Sequence, residues 1–144
     1  MDGQFVPTKT FDHNKIKELR PLTVIPFDTH LMINDPVRKV VIEMTEKPQG
    51  AALVMDDDSM LLGIVTEGDL RRCLANSGDI DQLKVTDVMT SNPIYIFKDT
   101  LLKDAITLME DRESQISVLP VVNDDKKSCA GLLRLHDIYQ THLF

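Results

Sequence analysis

Thr66-Glu67-Gly68-Asp69 places a hydroxyl, a glycine and two carboxylates where an apolar run gives way to a helical pattern. Two chemistries fit that spacing. Thr at a helix N-cap with an acid three residues later forms a capping box, which satisfies the orphan amides of a helix start. The same turn also presents backbone amides and the positive end of a helix to an anion. There the Thr66 hydroxyl and Asp69 carboxylate can bond the vicinal hydroxyls of a ribose, as acidic residues do in nucleotide pockets. Arg71 and Arg72 follow within the first turn and can reach a phosphate or lie in solvent as surface charges. Asp137 repeats Asp69 later in the chain, but Arg134 stands where Thr66 stood, so capping alone does not account for both places. Arg134 brings a permanent planar cation suited to phosphate or carboxylate oxygens. With His136 beside it, that position is open to an anionic ligand, or Arg134 simply pairs with Asp137.

Other candidate chemistry falls away on spacing. Asp56-Asp57-Asp58 suggests calcium, but a twelve-residue loop starting at Asp56 has Met60 at position 5 and Leu61 where glycine is required. A solvated hairpin turn is expected instead. His13, His30, His136 and His142 have no i,i+4 spacing, and no metalloprotease, nucleophile-elbow, Walker-A or dinucleotide glycine pattern occurs. Catalytic residues and metal ligands are therefore expected to be absent from this chain. Cys73 and Cys129 stand far apart, which suits a reducing, cytoplasmic setting. A net charge of −7 disfavours nucleic acid or membrane surfaces as partners. No apolar run reaches the roughly 20 residues of a membrane span, and the N-terminus lacks the apolar core of a signal peptide.

The elements that must position these residues occur twice. Gly63-Ile-Val-Thr-Glu-Gly-Asp69-Leu70 and Gly131-Leu-Leu-Arg-Leu-His-Asp137-Ile138 share one frame, with glycine first, aspartate seventh and apolar residues between and after. Upstream, Lys15–Leu19 matches Lys84–Val88, and the β-like runs Thr23–Phe27 and Pro93–Phe97 follow them. Helix-period apolar residues come next: Val37, Val40, Val41 and Met44, then Leu101, Ala105, Leu108 and Met109. Asp35-Pro36 reads as N-cap and first helical residue, with Asp99 as the second N-cap. Hairpins are expected at 51–65 and 117–133, around polar turns, and each is followed by a helix, the first with Leu70, Cys73 and Leu74 on one face. The predicted unit is β-α-β-β-α, repeated over 15–83 and 84–144, after a lead-in at 1–14. The seven methionines are expected to fill core gaps.

Two such units, each closing on glycine, two apolar residues and, six positions after the glycine, an aspartate, with a hydroxyl at the fourth place in the first copy, resemble a tandem pair of CBS (cystathionine-β-synthase) domains, a Bateman module. More narrowly, Gly63–Arg72, Val85–Thr90 and Leu133–Ile138 resemble the C-terminal CBS tail of arabinose-5-phosphate isomerases, which serve 3-deoxy-manno-octulosonate (Kdo), lipopolysaccharide and capsule synthesis. The resemblance implies an α/β (α+β) CBS-domain pair with pseudo-twofold symmetry, its two sheets packed together and its helices outside. It also implies a non-catalytic regulatory module with a nucleotide or nucleotide-sugar effector, such as CMP-Kdo or an adenine nucleotide. The parent would be a cytoplasmic isomerase whose catalytic sugar-isomerase (SIS) domain lies outside residues 1–144. The family's ribose-binding pair maps onto Thr66 and Asp69, and in the second copy onto Asp137 alone. Base contacts are implied near Ile25 and Ala52 in the first copy, and near Ile94, Ser117 and Pro120 in the second. A homodimer through the helices is implied as well. Two alternatives stand beside this reading: a structural dimerisation module with vestigial pockets, and a standalone adenylate sensor for another protein.

Overall fold

The computed structural model describes residues 24–25, 30–76, 78–113, 115–123 and 128–142. The expected lead-in at 1–14, the segment Lys15–Leu19, His13 and the second hairpin's Asp124–Lys126 turn lie outside these residues, as do the side chains of Ile25, His30 and His142. The chain divides into two compact units. One comprises Phe27–Pro93 with Lys126–Cys129, and the other Met1–Pro26, Ile94–Asp125 and Ala130–Phe144. The first of these is called the Asp69 unit below, and the second the Asp137 unit.

The strands are β1 (Val24–Ile25), β2 (His30–Leu31), β3 (Ala51–Met55), β4 (Leu61–Thr66), β5 (Thr90–Ser91), β6 (Ile96–Phe97), β7 (Val118–Val122) and β8 (Cys129–Arg134). The helices are α1 (Val37–Glu46), α2 (Glu67–Asn76), α3 (Val85–Val88), α4 (Leu102–Glu110) and α5 (Leu135–His142), with a 3-10 turn at Ile80–Gln82. Each unit holds a four-stranded mixed sheet, in the orders β2-β3-β4-β5 and β1-β8-β7-β6.

In the Asp69 unit, β2 runs parallel to β3, with His30 opposite Leu53. A parallel pair needs a crossover, which α1 supplies. The β3–β4 hairpin is antiparallel and sets Ala51 opposite Thr66 and Ala52 opposite Val65. Its turn is the polar one expected: Asp56 Oδ1 accepts from the amides of Asp58 and Met60 at 2.8 and 3.0 Å, and Ser59 takes a φ of 65°. The Asp56 carboxylate thus serves its own backbone, an Asx turn. Gly63 sits where β5 crosses closely: a Cβ there would meet Met89 Sδ at 2.7 Å and Thr90 O at 2.9 Å.

The period-3.6 stripes bury in part as expected: Val37, Val40 and Met44 are buried in α1 and Ala105 and Met109 in α4, while Val41 and Leu108 are only partly buried, and Leu102 is buried in place of Leu101, which caps the helix. Leu31, Ala52, Val54, Val65 and Val85 complete the core cluster around α1. In the Asp137 unit, Ile96, Leu119, Val121, Leu133, Leu135 and Ile138 pack with α4.

Three local expectations are corrected, and a fourth holds only in part. The N-cap of α1 is Pro36 in extended conformation, not Asp35. The Val37 amide donates to Leu83 O at 3.1 Å, while Asp35 Oδ2 accepts from Met32 N at 2.8 Å. A carbonyl distant in sequence took the role expected of the cap. The N-cap of α4 is Leu101 rather than Asp99, because Thr100 turns its hydroxyl back to the Phe97 amide at 3.2 Å. The runs Thr23–Phe27 and Pro93–Phe97 are not equivalent strands. β1 lies antiparallel at the edge beside β8, whereas β6 lies parallel to β7, the place β2 holds in the other sheet. The fourth difference concerns α2, which forms as expected but buries no residue fully: Leu70 packs partly buried against the core cluster, and Leu74 is 54% exposed. In α5, by contrast, Leu135 and Ile138 are buried. Among the described residues no helix is long and apolar enough to cross a membrane.

Candidate functional site

Thr66 ends β4 and Asp69 lies in the first turn of α2, so the hairpin register and the helix start together fix their separation. They form a reciprocal pair. Asp69 N donates to Thr66 Oγ1 at 3.1 Å, and Thr66 N donates to Asp69 Oδ2 at 2.9 Å. This is a capping box in geometry. The other carboxylate oxygen, Oδ1, accepts from Arg72 Nη2 at 2.6 Å. The Asp69 side chain is 9% exposed, whereas that of Arg72 is 70% exposed. The aspartate is therefore held rigidly, while the arginine is a solvated partner that can swing aside at little cost.

Asp69 and Arg72 border an open cavity of about 360 Å³, completed by Cys73, Asn76, Leu83, Asp87 and Val88. That volume suits a nucleoside-sized ligand. Asp87 is placed by its own Oδ2, which accepts from Lys84 N at 2.8 Å. One helical step of 100° separates Arg71 from Arg72, and it sends Arg71 to a different groove with Val41, Met44, Thr45, Glu67, Leu70 and Leu74. Of the two arginines considered for a phosphate, only Arg72 borders the Asp69 cavity.

The Asp137 unit uses the same frame differently. Arg134 ends β8, and its Nε and Nη2 donate to Asp137 Oδ2 and Oδ1 at 2.7 and 2.8 Å. This fork is bidentate and partly buried, with side chains 28% and 10% exposed. The hydrogen bonds that Arg134 donates to Asp137 raise its pKa further, burial opposes this, and the charge of Asp137 adds to the rise. The Leu135 amide that opens α5 donates to Ser117 O at 2.8 Å, which brings Ser117 beside Arg134. His136 is exposed on the first turn of α5.

The remaining sequence candidates scatter. Ala52 is fully buried in the core cluster, although its neighbour Ala51 faces Thr66 across the hairpin. Ile25 pairs with Leu132 and so lies in the sheet that carries Arg134, not in the one that carries Thr66. Ile94 is exposed in the segment before β6, and Pro120 is buried within β7. Sequence reading missed Cys73 and Asn76 as cavity residues, although they lie four and seven positions after Asp69 on one helix face. Leu83, Asp87 and Val88 carried no such signal. Among the described residues no group of three or more His, Cys, Asp or Glu is gathered to hold a metal.

Comparison with known proteins supports the resemblance. The CBS domain family model matches residues 85–141. A model of the ribulose-phosphate 3 epimerase family matches residues 1–58. The described part of that stretch holds β1, which pairs with β8, and then β2, α1 and β3, a single parallel crossover that the structure completes with antiparallel β4 and β5. The chain is 33% identical over 109 residues to the arabinose 5-phosphate isomerase of Escherichia coli (strain K12), covering 76% of this chain and 32% of the enzyme. It is 35% identical over 134 residues to a protein of Chlamydia pneumoniae, covering 91% of this chain and 40% of that protein. The chain thus spans about a third of the length of the isomerases it matches. Among solved structures, the CBS domain pair of protein MJ0100, in complex with 5′-methylthioadenosine and S-adenosyl-L-methionine, superposes with a TM-score of 0.73. It is 23% identical and covers 88% of this chain and 98% of its own. A CBS domain-containing protein from Thermotoga maritima gives a TM-score of 0.70 at 26% identity, over 88% of this chain and 92% of that one. Residues 85–141 thus belong to the CBS domain family, and the chain, with its two four-stranded mixed sheets, has the fold of a CBS-domain pair.

Proposed function

We propose that this chain is the ligand-sensing part of a longer cytoplasmic sugar-phosphate isomerase, an arabinose-5-phosphate isomerase of Kdo and lipopolysaccharide or capsule synthesis. Its effector is a nucleotide or nucleotide-sugar, and its partner in the longer protein is a sugar-isomerase domain. A CBS-domain pair is a regulatory, non-catalytic module. The observation that carries the reading is the nearly buried Asp69 carboxylate, bordering a nucleoside-sized cavity with a mobile cation, Arg72, at its edge. The ribose diol bonds Asp69 and Thr66, and Arg72 leaves Asp69 to meet a phosphate. Binding stabilises one arrangement of the longer protein over another by its differential affinity for the two. The neighbour bound to 5′-methylthioadenosine and S-adenosyl-L-methionine supports an adenosine-type ligand, and the isomerase relatives support a sugar nucleotide.

Titration calorimetry with 5′-methylthioadenosine, AMP, CMP and CMP-Kdo tests this. Asp69→Ala is expected to weaken binding by about 1.5–3 kcal/mol, the range for a hydrogen bond to a charged group. Unchanged affinity in a folded Asp69→Ala chain would exclude the site.

A second reading, a dimerisation module with vestigial pockets, is favoured by the groove between α1 and α2. Val41, Met44, Leu70 and Leu74 line it, and Leu74 is half exposed. Such a face suits a second copy of the chain. A dimer by light scattering that binds none of the four compounds would select this reading.

A further inference from the structure

We propose that the Asp137 site is occupied by the chain's own Arg134, so that each chain binds one nucleoside ligand rather than two. The inference rests on the ribose-binding reading of Thr66 and Asp69 and adds a stoichiometry to it. A ribose diol would offer Asp137 two hydroxyl donors, one to each carboxylate oxygen. The Arg134 guanidinium already supplies that pair, with Nε on Oδ2 at 2.7 Å and Nη2 on Oδ1 at 2.8 Å. Being three residues away on the same turn, it competes as an intramolecular partner, at an effective concentration that a free ligand does not match. The charged fork also makes stronger bonds than a neutral diol.

The Asp69 site shows what an unblocked version looks like. Arg72 engages only one oxygen of Asp69, and its side chain is 70% exposed. Thr66 is too short to bridge the carboxylate as Arg134 does. It instead gives its amide to Asp69 and accepts from the Asp69 amide. The place of the frame whose residue meets both carboxylate oxygens in the Asp137 site thus differs, Thr66 against Arg134, and the neighbouring Glu67, Gly68, Arg71 and Arg72 are replaced by Leu135, His136, Tyr139 and Gln140. The same bonds spend the arginine fork that an anionic ligand would need, so Arg134 acts as a plug and not as an anion receptor.

The experiment is calorimetric stoichiometry on the 144-residue chain, with 5′-methylthioadenosine as a phosphate-free diol probe and CMP as the second. Wild type is expected to bind one molecule per chain, and Arg134→Thr two. The reciprocal change, Thr66→Arg, is expected to abolish binding in a chain whose circular dichroism is unaltered. Two molecules bound by wild type, or one still bound by folded Arg134→Thr, overturns the plug. If Arg134→Thr does not fold, Thr66→Arg decides, and binding retained there overturns the proposal. No binding by wild type or by either variant removes the nucleotide reading itself, and the plug with it.

Discussion

Two ion pairs of similar geometry and different burial allow the worth of the Arg134–Asp137 fork to be predicted. Arg38 donates through Nε and Nη2 to Asp81 at 2.8 and 3.1 Å, also as a fork, but its side chains are 60% and 54% exposed. Such a pair gains little over hydration, and its coupling is expected below about 1 kcal/mol. Arg134 and Asp137 are 28% and 10% exposed, so either one left alone is poorly solvated. Arg134→Met strands a nearly buried carboxylate and should cost about 3 kcal/mol, toward the low end for breaking a buried pair. Asp137→Leu leaves an arginine that can turn toward water, and should cost about 2 kcal/mol. The double variant removes both charges and should be less destabilised than Arg134→Met alone. The coupling from this cycle is expected at about 2–4 kcal/mol. Urea unfolding of the four proteins measures it, with the slope m unchanged so that midpoints compare directly. A coupling at Arg134–Asp137 no larger than at Arg38–Asp81 would refute the argument that burial, not bond geometry, sets the value.

Gly63→Ala would push a Cβ into Thr90 O at 2.9 Å, and a backbone oxygen in a paired strand cannot step aside. A loss of about 1–3 kcal/mol in chemical denaturation is expected, against the gain that Gly→Ala normally gives in a strand interior; an unchanged midpoint would contradict it. Burial pushes the Cys129 thiol up to about 11, so its thiolate fraction at pH 8 is about one in a thousand. Its alkylation by iodoacetamide, followed by mass spectrometry, should therefore climb about tenfold per pH unit from 7 to 10. A plateau near pH 9 would show that the thiol is not so shielded.

What the sequence determined by itself is local. The Asp56–Ser59 turn, the α1 and α4 stripes and the Thr66–Asp69 spacing all depend on residues within a few positions of each other, where backbone sterics and period-3.6 burial leave few choices. The β-α-β-β order was legible for the same reason. Tertiary structure decided the rest through partners far along the chain. Val37 is satisfied by Leu83, so Pro36 could sit at the N-cap without a side-chain acceptor. Ile25 was assigned to the Thr66 site by its place in the repeat, yet its strand pairs with β8. A two-residue strand carries no pattern that selects one sheet edge over another, because both edges offer the same backbone groups. Leu74 reads as a core residue by periodicity, but periodicity does not say what covers a helix face, and Leu74 remains half exposed. Both roles of Arg134 were written in its spacing from Asp137. Burial of the carboxylate to 10% exposure explains why the fork to Asp137 forms, since a desolvated charge takes the nearest partner that matches its geometry.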